Sequence, residues 1–260
     1  MVIRLLPVVV LVLLTSLLTQ CASTSITPQA GTPPTPAVAP ATALPTEAPK
    51  GQKINDGARS IATDSVEKLN QADSYQFSIS STLQTTVEGK PREWKFSGTG
   101  AVAKPAKIQW SIEGQADVFF KVVSVGGQSY CADTRGEIKD CNLAFGGPKP
   151  GASPYTVISY LQNFDQVGNA ATQTIQGKDY SYLTFSPSLQ KVAALDSAHA
   201  KALANVASVN GEMWIDKSTK LPYQEKVLIR YKSQGSGEDT VETTITFQKY
   251  NEPVDIRLPR

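Results

Sequence analysis

The stretch NGEMWIDKSTKLPYQEKVLIRY, residues 210–231, sets Glu212, Trp214 and Asp216 on alternate positions. Two carboxylates spaced this way on an extended segment lie roughly 6.5–7 Å apart at Cβ, from two rises of about 3.3 Å. A retaining glycosidase needs its carboxyl groups about 5–5.5 Å apart with one held protonated, so spacing alone leaves an acid–base pair open. Parity argues against it. Met213 and Ile215 point to the opposite face, a turn-like DKSTK follows, and beyond it Val227, Ile229 and Tyr231 repeat the apolar alternation. Lys226 and Arg230 stand where they could balance the two acids. The carboxylates are expected on the wet face of a hairpin; a hydrolase of unrecognised type, acting through Glu212 or Asp216, is the rival reading.

Other chemistries find little support. The one histidine, His199, lies inside SLQKVAALDSAHAKALAN, and no Gly-x-Ser-x-Gly elbow occurs, so a Ser-His-Asp triad has no visible machinery. No Cys, His and carboxylate cluster has zinc spacing, and no cofactor is implied. Gly98-Thr99-Gly100-Ala101-Val102-Ala103 imitates the dinucleotide fingerprint but runs into Lys104-Pro105 where a helix should begin. Those glycines are expected where a strand bends or bulges. Cys131 and Cys141 flank ADTRGEIKD, a spacing that suits a disulfide across a loop in an exported protein, contributing about 2–3 kcal/mol. A Cys-x-x-Cys redox pair is absent, and Cys21 is left over.

The 260 residues carry a net charge of +2, with Lys and Arg scattered, which excludes a reader of nucleic acid or other polyanions. Residues 1–20 are expected to be a targeting segment: Arg4 precedes LLPVVVLVLLTSLL, too short for an ordinary membrane span, although a short membrane anchor is the other reading. The segment closes on LTQC, which resembles a bacterial lipoprotein signal in Leu18 and Cys21 and departs from it in Gln20, where a small residue is usual. The resemblance implies diacylglycerol on the Cys21 thiol, and two or three acyl chains anchor a protein stably. Ordinary secretion, with Cys21 removed or left as a thiol, is the alternative. Residues 21–53, rich in Pro, Ala and Thr, cannot bury a core and are expected to be a disordered tether reaching up to ~100 Å.

Residues 54–260 suffice for one folded domain. Ile61, Val66 and Leu69 follow helical spacing, with Asp56 as N-cap. Strand alternation then dominates: Tyr75, Phe77, Ile79, Leu83 and Val87 share a face, followed by Trp94, Phe96 and Val102, then Ile108, Trp110 and Ile112. DVFFKVVSV is apolar on both faces and is expected at the sheet centre with its second face covered. Helices are expected in SPYTVISYLQNF, with Tyr155, Ile158, Leu161 and Phe164 on one stripe, and in SLQKVAALDSAHAKALAN. Between them ATQTIQGKDYSYLTFS reads as a hairpin turning at Gly177-Lys178, and Val241, Thr243, Ile245 and Phe247 close the pattern.

The fold class is α+β: a curved antiparallel sheet, an incomplete and open half-barrel, wrapped around a few helices. SVEKLNQADSYQFSIS, VNGEMWIDKSTKLPYQEKV and FQKYNEPVDIRLP together resemble the LppX/LprG lipoproteins and the wider LolA/LolB-like group. That resemblance implies an incomplete barrel with a hydrophobic cavity that binds or carries lipids, and no catalytic residues. The expected lining is Phe77, Ile79, Leu83, Trp94, Phe96, Trp110, Ile112, Met213, Ile215, Val227, Ile229 and Phe247. The function so implied is binding of a lipid or lipid-linked molecule by a membrane-anchored protein of the bacterial cell envelope, for carriage or transfer. The alternative is a protein-interaction or sensor module with a filled core and an envelope protein as partner.

Overall fold

A computed structural model describes residues 56–87, 90–115, 118–126, 128–134, 136–138, 164–168, 170–190, 206–231 and 239–259. The chain opens with helix α1 (Asp56–Gln71) and continues through β1 (Ser74–Val87), β2 (Lys90–Ala103), β3 (Lys107–Gly114), β4 (Val118–Val125), β5 (Gln128–Asp133) and β6 (Gly136–Ile138). It resumes with β7 (Phe164–Val167), β8 (Ala171–Ile175), β9 (Lys178–Pro187), β10 (Val206–Asp216), β11 (Pro222–Tyr231) and β12 (Thr240–Gln248). All twelve strands join one antiparallel sheet in the order β6-β5-β4-β3-β2-β1-β12-β11-β10-β9-β7, with β8 also on β9. Among the described residues the end strands do not pair with each other. The result is the open α+β half-barrel that the amphipathic strands require.

The strands at the centre of the sheet each bury one parity. On β1, Tyr75, Phe77, Ile79 and Leu83 are buried while Gln76, Ser78 and Thr82 are half-covered, and β10 to β12 alternate in the same way. α1 supplies Ala58, Ala62, Val66 and Leu69 to the same interior. It packs chiefly over β9 and β11, and Asp64 pairs with Lys220 of the β10–β11 turn at 2.9 Å. Asp56, expected as a cap, is the first helical residue.

Several expectations need correction. The double-sided β4 is third from an edge, and the centre belongs to β1 and β12. Its second face is covered only in part: Val123 packs with Ala101, Ala103 and Ile256, while Phe119 on the same parity is exposed. Ile256 arrives there because positive φ at Lys249 and Asn251 turns the chain back after β12, and Asn251 bonds to Asp73 and Ser74. Phe164 opens strand β7 and does not end a helix. The β8–β9 turn is Gln176-Gly177, one residue earlier than expected; both residues have positive φ, the backbone of the primed two-residue turn that matches strand twist.

Gly98 and Gly100 are no bulge. β1 and β2 pair without interruption from Ser74↔Ala103 to Val87↔Lys90. The glycines make room for neighbours: a Cβ at Gly100 would overlap the Phe77 ring, and one at Gly98 would overlap Ile112 and the Ser111 carbonyl. Most of SPYTVISYLQNF and all of SLQKVAALDSAHAKALAN after residue 190, including His199, lie outside the described residues, as do Cys21, Cys141, the signal segment and the tether.

Candidate functional site

The convex side of the hairpin holds the two carboxylates, and there they do separate jobs. Asp216 Oδ1 accepts hydrogen bonds from the Ser218 amide at 2.8 Å, the Ser218 hydroxyl at 2.5 Å and the Thr219 amide at 3.0 Å, so it organises the β10–β11 turn. Burial would raise its pKa, but these bonds outweigh burial and hold it below the ordinary carboxylate value. Glu212 faces Tyr182, whose phenol is pushed up to about 12 by burial first and then by the charge and hydrogen bond of Glu212. The Trp214 ring lies 5.1 Å from that of Tyr182, and its indole N–H donates to Gln173 at 2.7 Å. Lys226, opposite Glu212 in register, forms its ion pair with Glu242 at 3.0 Å, contrary to the expected balance with Glu212. Asp216 is thus a turn anchor and Glu212 a phenol acceptor, both on a half-buried outer face. Among the described residues no group of acids, histidines and cysteines could hold a metal.

The concave side is continuous and apolar. Of the twelve residues expected there, eleven are buried, and Trp94 is half-buried and packed against them; all belong to one cluster. The cluster runs across the sheet from Phe120 and Cys131 on β4 and β5 to Leu183 and Phe185 on β9. Trp110 and Phe120 meet with ring centroids 5.5 Å apart. The face is kept dry by pairing its hydroxyls: Ser81 and Thr243, register partners on β1 and β12, share a hydrogen bond of 2.9 Å. Ser129 donates to Ser124 at 3.1 Å between β4 and β5.

One polar residue on this face was missed from sequence. Glu225 shares the inward parity of Val227 and Ile229, is fully buried, and its register partners are Met213 on β10 and Ile245 on β12. Neither carboxyl oxygen has a hydrogen-bond partner, and burial alone pushes its pKa up to about 8. Parity in YQEKVLIRY would have found it.

No protein-family model and no curated protein sequence matches the chain. Solved structures do. LprF from Mycobacterium bovis superposes with a TM-score of 0.50 at 13% identity, covering 80% of this chain and 99% of that one. The Mycobacterium tuberculosis lipoprotein LppX gives 0.40 at 13% identity, covering 78% and 100%. The LolA superfamily protein NE2245 from Nitrosomonas europaea gives 0.28 at 10% identity, covering 78% and 94%. At such identity the likeness is one of fold: the chain folds as LprF does, in an open antiparallel half-barrel.

Proposed function

We propose that this protein binds a lipid or lipid-linked molecule against its concave apolar face and carries it between sites in the bacterial cell envelope. The observation that carries the reading is the extent of the face. One apolar cluster spans the sheet from β4 and β5 to β9, while α1 packs chiefly over β9 and β11 and lays small residues, Ala58, Ala62 and Ser65, towards it. A surface of this kind suits acyl chains, which gain about 0.8 kcal/mol per buried methylene. Binding and release would do the work, without covalent chemistry, and Cys21 would carry the lipid anchor, with Cys131 and Cys141 joined by a disulfide. The described residues hold no helix long and apolar enough to cross a membrane.

Native mass spectrometry of the full chain, followed by solvent extraction, tests the proposal. A stoichiometric lipid adduct is expected. A clean unliganded mass that stays unchanged after addition of phospholipid, diacylglycerol and fatty acid would refute it.

A further inference from the structure

The interior treats its polar groups in two ways. The Ser81 and Thr243 hydroxyls satisfy each other across the β1–β12 seam. Glu225 and Ser65 do not: among the described residues, the two carboxyl oxygens and the Ser65 hydroxyl are the buried side-chain polar atoms without a hydrogen-bond partner. Both residues are at most 1% exposed, Glu225 on the inward parity of β11 and Ser65 on α1, which packs over that strand. A buried carboxyl left unpaired costs about 1–3 kcal/mol even when neutral. Replacing it by an apolar residue of similar volume would remove that cost, so its presence calls for a partner.

The surroundings say which partner. Met213 and Ile245 flank Glu225 across the strands, Val227 follows on its own strand, and α1 presents Ala62, Val66 and Leu69. The titratable side chains on the inner faces of β1 and β11 are the phenols of Tyr75 and Tyr231. No cation faces Glu225 among these neighbours. A charged amine brought in as ligand would place an ion pair in an apolar interior, where desolvation consumes most of the attraction. A protonated carboxyl can instead donate one hydrogen bond and accept another. The matching group is neutral and both donates and accepts, a hydroxyl being the smallest.

We infer that Glu225 is the polar anchor of the lipid site, and that it selects amphiphiles carrying a neutral hydroxyl at the end seated beneath α1. This rests on the lipid-binding reading and names the ligand chemistry that reading leaves open. The Ser65 hydroxyl is the second group that such a head would meet on the helix side.

The test is a competition read by native mass spectrometry. The full chain is incubated with equal amounts of 1-hexadecanol and its methyl ether, which share a chain but differ in the hydrogen-bond donor. The protein is expected to retain the alcohol over the ether by about tenfold, the effect of one buried hydrogen bond. Glu225→Met, close in volume, should bind both with a ratio near one, and Glu225→Gln, which still donates and accepts, should restore the preference. Equal retention by the unaltered protein, or a preference that survives in Glu225→Met, overturns the role of Glu225 while the lipid reading stands. Retention of neither compound by the unaltered protein overturns the lipid reading, and this inference with it.

Discussion

Phe77 on β1 and Gly100 on β2 are register partners, and the phenylalanine ring occupies the space that a side chain at residue 100 would need. Phe185 on β9 and Gly211 on β10 repeat the relationship at the other side of the sheet. In both places an aromatic ring lies across a neighbouring glycine, which lets a large side chain lie flat on the concave face. Gly100→Ala should therefore destabilise by about 1–3 kcal/mol through overpacking. Urea unfolding measures it, and combination with Phe77→Leu should cost less than the sum of the two single changes.

Glu225 gives the protein an inverted response to pH. Its folded pKa is about 8 against an ordinary value of 4.5. Below 4.5 both folded and unfolded chains hold the proton, and the group adds no pH-dependent penalty. Between 4.5 and about 8 only the folded chain holds it, so stability falls as pH rises, by up to roughly 5 kcal/mol for a shift of this size. Glu225→Gln should flatten this slope in thermal unfolding followed from pH 5 to 8.

Asp216 is a structural carboxylate. Asp216→Ala removes three hydrogen bonds to the β10–β11 turn and should cost about 1–2 kcal/mol. Asp216→Asn keeps the acceptor oxygen and should recover most of that loss. Lipid retention, read by native mass spectrometry, should be unchanged in both variants. A loss of retention in a folded Asp216→Asn protein would contradict a purely structural role.

Ile256, 2% exposed, fills the convex face between Ala101, Ala103 and Val123. Ile256→Ala should cost about 2–4 kcal/mol, as for other buried isoleucines. Hydrogen exchange should show faster opening of residues 252–259 and of the adjoining β2 amides, while the β10–β11 ladder keeps its protection.

Much of the fold is legible in period-two patterning, because a strand with one buried face must alternate. That logic places Phe77, Trp110, Met213 and Ile229 on one side, and it would have placed Glu225 beside Val227 and Ile229 had charge not diverted attention to Glu212 and Asp216. Other features are set by tertiary context. Gly98 and Gly100 look like breaks until the ring of Phe77 and the side chain of Ile112 fill the space above them. The covering of β4 comes from Ile256, more than a hundred residues later in the chain, so its apolar second face misleads about its rank in the sheet. Phe164 opens the four-residue strand FDQV, too short for periodicity to assign to strand or helix. Lys226 pairs with Glu242, a diagonal neighbour on β12, although Glu212 is its register partner on β10, a choice made by side-chain reach across the sheet.

The pairing of β1 with β12 divides the molecule's assembly in time. Strands β1 to β6 form one run of successive hairpins, and β7 to β12 pair only among near neighbours. Among the described strands the single long-range ladder is the seam where Ser81 meets Thr243, 162 residues away. Each half can zip locally, but its apolar face stays uncovered until the last strand arrives. Closing so distant a contact is slow. The newly made chain is thus a pair of unjoined, adhesive half-sheets, and it is in that interval that the protein has most need of a chaperone.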